Sequence, residues 1–174
     1  RNLSYPNYKP QLQVDSSSIK KVVSLMADSK KPIFYCGGGV INSGKKASDI
    51  LTKLIKKTGF PCTNTLMGLG CFPALDKQFI GMLGMHGTYE ANLAMHDSDL
   101  IIAVGSRFDD RVTGNLSKFS PYAKKIHIDI DPSSINKNVK VDIPLIGDVK
   151  IIINSIYKEL EKKISFLKFK NIKK

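Results

Sequence analysis

The chain has 174 residues, 42% apolar and 24% charged, a composition that fits one globular domain, or two at most. No apolar run nears the roughly 20 residues of a membrane span and no leader-like segment opens the chain, so neither a membrane nor a secreted protein is expected. The net charge of +12 is carried by lysine in 24 of the 27 basic residues, without zinc-finger spacing or an RNP-like strand, so no nucleic-acid partner is expected either.

Residues 1–14 hold Pro6, Pro10 and two tyrosines without periodicity and read as an arm or linker. The chain opens on Arg1 rather than Met, as a processed product or a piece of something longer would. Asp15 and the serines after it can cap a helix whose apolar stripe is Ile19, Val22, Val23 and Met26. Pro32 opens a short buried strand, Ile33-Phe34-Tyr35-Cys36, that stops at Gly37-Gly38-Gly39. Ser43 is placed to cap a second helix, with Ala47, Ile50, Leu51, Leu54 and Ile55 on one face and Gly59 closing it. A short strand over 61–63 runs into Asn64-Thr65-Leu66-Met67-Gly68-Leu69-Gly70.

Residues 81–87 form a glycine-punctuated segment that leads into a helix from Thr88 to Met95. Leu100–Val104 is a fully apolar strand ending at Gly105-Ser106-Arg107-Phe108-Asp109-Asp110-Arg111. Another strand, Lys125–Ile130, closes on Asp129-Ile130-Asp131-Pro132. Ile143–Ile146 is the last strand, followed by Gly147-Asp148 and a helix from Val149 to about Ile164. The lysine-rich residues 166–174 read as a fraying tail. Strands alternating with helices predict an α/β fold over residues 15–165: a three-layer, Rossmann-like parallel sheet of about six strands with helices on both faces.

In such sheets ligands bind beyond the carboxyl ends of the strands. Those ends are Gly37-Gly38-Gly39, Thr65-Leu66, Gly84-Met85-His86-Gly87, Gly105 to Arg111, Asp129-Ile130 and Gly147-Asp148. Glycines permit close backbone approach, arginines bind phosphate or carboxylate, and acids at separate strand ends accept ribose hydroxyls. Together they describe an extended nucleotide cofactor lying across the sheet edge. The familiar dinucleotide fingerprint is not met: its third glycine position is Asn42, and the second strand runs into Asn64 instead of an acid. There is no Walker A motif. Cys36, Cys62 and Cys71 are odd in number without CxxC spacing, which indicates neither disulfides nor zinc and fits a reducing compartment. His86 and His96 are too far apart for one helical metal face, and His127 lies inside a strand, so no metal site is expected. Asp129-Ile130-Asp131 is read as a strand end and a cap, and no nucleophile elbow supports a hydrolase.

From Gly105 to Asn115 the run Gly-Ser-Arg-Phe-Asp-Asp-Arg-Val-Thr-Gly-Asn resembles the acetolactate synthase (acetohydroxyacid synthase) large-subunit family of thiamine-diphosphate enzymes. The resemblance extends to Gly-Met-Leu-Gly-Met-His-Gly-Thr (81–88), Thr-Leu-Met-Gly-Leu-Gly (65–70), Ile-Asp-Ile-Asp-Pro (128–132) and Gly-Asp-Val (147–149), and covers the chain from about Ser16 onward. It is a resemblance to the middle of three domains, the one that in this family holds FAD with no net redox role. It implies that Gly37, Gly38 and Gly39 pass close to the FAD backbone and that Arg107 contacts its phosphate or ribityl region. It further implies that Thr65, Leu66, Met85, His86, Gly105, Asp109 and Val112 line the flavin and its chain. Asp129, Ile130, Asp148 and Val149 would surround the adenosine end. Arg111, with Asp110 and Met85, would face the substrate channel and attract a ketoacid carboxylate.

The family's catalytic Glu and its diphosphate-binding segment lie in the preceding and following domains. Thiamine diphosphate and Mg2+ would therefore be bound outside this chain, which alone is expected to lack synthase activity. The resemblance implies a cytoplasmic enzyme, or a plastid one in a eukaryote. Its partners would be the flanking domains, a second or further copies in a homodimer or homotetramer, and a regulatory small subunit. Two other readings remain: the middle domain of a glyoxylate carboligase or pyruvate oxidase type enzyme, and a free-standing sirtuin-like nucleotide-binding domain, against which three unpaired cysteines argue.

Overall fold

Six short strands pair only in parallel because each is followed by a crossover long enough to return the chain to the same sheet edge. They are β1 (Pro32–Cys36), β2 (Cys62–Asn64), β3 (Phe79–Met82), β4 (Leu100–Val104), β5 (Lys124–Asp129) and β6 (Ile143–Ile146). This computed structural model describes the backbone of residues 15–114 and 119–172, and the side chains of these residues except 110, 111 and 165–172. The arm expected at residues 1–14 lies outside the described residues.

The strand order is β3-β2-β1-β4-β5-β6, so the winding reverses between β1 and β4. This is the doubly wound order of nucleotide-binding sheets. The two strands at the reversal are in register from Pro32 opposite Leu100 to Cys36 opposite Val104, and both are buried at every position. A strand covered on both faces is apolar throughout, which is why Leu100–Val104 carries no alternation.

Alternate strand residues feed two cores. Phe34, Cys36, Ile102, Val104, Ile126 and Ile128 pack with α1 (Ser16–Asp28), α3 (Lys45–Thr58) and α6 (Val149–Ile172). The opposite face, with Ile33, Tyr35, Ile101 and Ala103, packs on Met95 of α4 (Tyr89–Asp97) and on Phe108 in the segment after β4. The layers are therefore unequal: long helices cover one side, and a short helix with a loop covers the other. The expected stripe of α1 is its buried face, Ile19, Val22, Val23 and Met26, with the Asp15 carboxylate accepting from Ser17 and Ser18 N–H. Gly59 ends α3 with φ 75°, the left-handed conformation that glycine adopts without penalty.

Four local expectations are corrected. Ser43 does not start the second long helix. A short helix, α2 (Gly38–Asn42), intervenes, and the Ser43 hydroxyl donates to Gly39 O at 2.9 Å at its end. Gly44, with φ 84°, precedes α3 because serine does not favour that backbone region. The glycine-punctuated segment begins as β3, an edge strand held to β2 across an irregular register, with Thr63 Oγ1 donating to Gly81 O at 2.8 Å. After β4 the chain makes one helical turn, α5 (Asp110–Thr113). Finally, α6 runs to Ile172 rather than ending near Ile164. No Gly or Pro interrupts it, and Lys, Glu and Leu are strong helix formers.

The loop from α1 to β1 is fastened by one carboxylate. Asp99, just before β4, accepts from the Ser29 hydroxyl and from the N–H groups of Lys30 at 2.7 Å and Lys31 at 2.9 Å. Desolvation, the largest single influence, pushes the Asp99 carboxyl up, yet the bonds from Ser29, Lys30 and Lys31 together hold it below its ordinary value.

Candidate functional site

An all-parallel sheet gathers every strand's carboxyl end on one edge, roughly 24 Å long for six strands. All the residues expected at a ligand site lie there or in the turns that follow. Gly37 caps α2, and Gly38 and Gly39 form its first turn. Thr65 caps a 3-10 turn, its hydroxyl accepting from Gly68 N–H at 3.0 Å, and Leu66 in that turn is 67% exposed. Met85 and His86 are exposed after β3. Gly105, Arg107 and Asp109 follow β4, and Asp110, Arg111 and Val112 form α5. Asp129 ends β5 and Ile130 follows it, one residue past the strand end rather than within it as expected, and Asp148 caps α6 by accepting from Lys150 N–H at 2.7 Å and Ile151 N–H at 3.3 Å. Val149, buried, starts α6.

The glycines serve the fold itself at the reversal point. A Cβ on Gly37 would lie 2.3 Å from Gly105 O, and one on Gly39 would lie 2.7 Å from Gly105 Cα. The two turns are joined by Gly37 N–H to Val104 O and Gly39 N–H to Gly105 O, each 2.9 Å. A Cβ on Gly38 would in turn lie 3.1 Å from Met67 Cβ, so this glycine turn packs against both the turn after β4 and the 3-10 turn after β2.

Arg107 is 70% exposed and 3.3 Å from Asp109, a surface pair worth little by itself and able to exchange for an incoming anion. Beside it, Arg107, Phe108, Asp109, Ser134, Lys137 and Asn138 border a cleft of about 40 Å³. That volume holds a water or two. The cleft beside Arg107 is therefore far too small for a nucleotide, and the edge there is open. At its β1–β3 end Leu66, Met67, Leu69 and Met85 are exposed together. Its β5–β6 end carries Asp129, whose Oδ1 accepts from Asp131 N–H at 2.9 Å, and Asp148. A cationic middle, an apolar end and an acidic end suit a ligand that is anionic at its centre, planar and apolar on one side, and hydroxylated on the other.

Beneath this edge the three thiols are buried around Asn64. Cys36 Sγ is 3.8 Å from Cys62 Sγ, and Cys62 and Cys71 both approach Asn64 Oδ1. Burial pushes the Cys36 thiol well up, so it behaves as a small apolar side chain. No group of three His, Cys, Asp or Glu among the described residues is placed to hold a metal ion, and no described helix is long and apolar enough to cross a membrane.

Sequence reasoning missed the residues that support the edge. Asn64 Nδ2 donates to Gly68 O at 3.1 Å and shapes the exposed turn. Tyr35, Ser106, Phe108, His127 and Asn138 hold the loop after β4. The available signal was a polar-tipped side chain with apolar neighbours, Tyr35 after Phe34 and His127 between Ile126 and Ile128.

Residues 19–156 match the family described as "Thiamine pyrophosphate enzyme, central domain". The chain belongs to that family. The matched span runs from the first helix through all six strands into α6, so it includes every strand end described above. Among curated proteins, the chain is 52% identical over 144 residues to the acetolactate synthase large subunit of Haemophilus influenzae, covering 83% of this chain and 25% of that protein. It is 47% identical over 162 residues to the acetolactate synthase large subunit of Buchnera aphidicola subsp. Schizaphis graminum, covering 93% and 28%. It is 45% identical over 155 residues to the acetolactate synthase isozyme 3 large subunit of Escherichia coli K12, covering 89% and 27%. The chain thus spans about a quarter of the length of these relatives.

Proposed function

We propose that this chain is the central, FAD-binding domain of an acetolactate synthase large subunit. The whole subunit would condense pyruvate with a second pyruvate or with 2-ketobutyrate, releasing CO2, in branched-chain amino-acid synthesis. The observation that carries this reading is identity of 45–52% to acetolactate synthase large subunits over 83–93% of the chain. Thiamine diphosphate and Mg2+ are assigned to the flanking domains, so the chain alone has no synthase activity. Its partners are those domains, further copies in a homodimer or homotetramer, and a regulatory small subunit, in the cytoplasm.

The chemistry of the open edge supports FAD here. The exposed Arg107 guanidinium meets the phosphate or ribityl region, with Gly38, Gly105, Asp109 and Val112 alongside. Thr65, Leu66, Met85 and His86 border the flavin, and Asp129, Ile130, Asp148 and Val149 the adenosine. Asp148 Oδ1 is spent on the cap of α6, which leaves Oδ2 for a ribose hydroxyl. Bound FAD supplies a planar wall and no net redox chemistry. By the family resemblance Arg111, Asp110 and Met85 are assigned to the substrate channel, where a cation would attract the ketoacid carboxylate.

The test is a fluorescence titration with FAD, with NAD as control, on this chain and on the full-length subunit that contains it. Saturable FAD binding, weakened about tenfold or more by Arg107→Ala, is expected, with NAD inert. Failure of the full-length subunit to bind FAD would sink the cofactor reading. CO2 release from pyruvate by the full-length subunit, and none by this chain, is the matching result for the activity.

A further inference from the structure

Four consecutive carbonyls at the reversal of the sheet are each held by a different part of the fold. Gly105 O accepts from Gly39 N–H at 2.9 Å. Ser106 O accepts from Nε2 of His127, on β5, at 2.8 Å. Arg107 O accepts from the hydroxyl of Tyr35, on β1, at 3.3 Å. Phe108 O accepts from Asn138 Nδ2, in the segment between β5 and β6, at 2.7 Å. The Ser106 hydroxyl donates back to Tyr35 O at 3.1 Å. The Phe108 ring packs against Tyr35, with centroids 5.8 Å apart, and edge-on against the His127 imidazole at 5.2 Å.

Holding the carbonyls on both sides of Arg107 fixes its φ and ψ, and with them the direction in which its side chain leaves the backbone. The Arg107 side chain is mostly exposed and pairs with Asp109, two residues on in the same loop, at 3.3 Å, so the aim of both depends on the backbone beneath them.

The donors are costly ones to keep in a sheet interior. Tyr35 and His127 are fully buried, Tyr35 in a strand otherwise of Pro, Ile, Phe and Cys, and His127 between Ile126 and Ile128. A carbonyl oxygen only accepts, so His127 Nε2 carries the hydrogen and donates. His127 Nδ1 is buried and has no partner among the described residues. An unpaired buried acceptor lowers stability, so packing alone favours an apolar residue at 127. Burial, with the Asp109 carboxylate nearby, pushes the Tyr35 phenol well up, so it keeps its proton and remains a donor.

We propose that Tyr35, His127 and Asn138 are positioning residues that clamp the Ser106–Phe108 backbone and thereby aim Arg107 at the anionic part of the cofactor. This rests on the FAD reading above and adds to it the residues that make the arginine effective.

The experiment measures amide hydrogen exchange over residues 105–109, FAD affinity and melting temperature in the full-length subunit. Tyr35→Phe and Asn138→Ala each delete one donor and little else. Each is expected to speed exchange in the loop and to weaken FAD binding by about tenfold with little change in melting. His127→Leu is expected to do the same. His127→Gln, whose Nε2 can reach the same carbonyl, is expected to stay within about threefold of the unsubstituted protein.

The proposal is overturned if loop exchange and affinity are unchanged in these variants, or if affinity falls only in step with melting temperature. It is also overturned if His127→Gln behaves like His127→Leu. An unsubstituted subunit that binds no FAD overturns the cofactor reading and the aim assigned to Arg107 together. That case is told apart by the exchange data, which report on the clamp without ligand.

Discussion

Gly37 and Gly59 are both glycines at helix ends, yet different physics requires them. Gly59 has φ 75° and nothing within 4 Å of its absent Cβ, so its requirement is conformational. Gly37 has an ordinary extended φ of −119°, and its requirement is space, because Gly105 O would lie 2.3 Å from a Cβ. Gly59→Ala is expected to cost about 1 kcal/mol, whereas Gly37→Ala should cost about 3 kcal/mol or more, since backbone must move. Urea denaturation of the two variants checks the order; equal losses would contradict the packing argument. The sequence showed that glycines cluster at Gly37–Gly39. It could not show that the space they leave is taken by Gly105, 66 residues on in the chain by number alone.

At the scale of elements, five of the six strands and the four longer helices were legible, since apolar runs and 3.6-residue stripes are local patterns. β3 was not, because Gly81 interrupts a run of only four residues and the strand is held to β2 across an irregular register. The Asp99 fastening of the α1–β1 loop was likewise invisible, as it joins residues about 70 positions apart. The carboxyl value is depressed in the folded chain, so this contribution is complete at neutral pH and is lost as pH falls below about 4, through the folded value. Asp99→Asn is therefore expected to lower stability by about 1–2 kcal/mol at pH 7. The difference from the unsubstituted chain should shrink at pH 3. Denaturation curves at the two pH values make the check, and a loss that does not shrink would assign it to geometry rather than charge.

For the whole molecule, the two faces of the sheet are covered unequally, and the exposed apolar side chains Leu66, Met67 and Leu69 crowd one end of the ligand edge. Exposed side chains of this kind add little to the stability of the domain that carries them. Met67→Ser, at a position 76% exposed, should change the unfolding free energy of this chain by less than about 0.5 kcal/mol. On the proposed FAD reading the same change in the full-length subunit is expected to reduce FAD retention, because the turn assigned to the flavin loses apolar area. Gel filtration followed by flavin absorbance measures it, and undiminished retention would remove this turn from the site.

The sequence alone determined the α/β class, the parallel sheet, most elements and the residues gathered at the strand ends. Periodicity, caps and strand-ending glycines are written locally in the chain. Its motifs also indicated the family, now matched over residues 19–156. Tertiary structure alone decided the strand order, the reversal between β1 and β4, and the reason for the glycines there. It also decided that Tyr35, His127 and Asn138 converge on the loop bearing Arg107. Those contacts join residues 21 to 72 positions apart, and no local pattern encodes them.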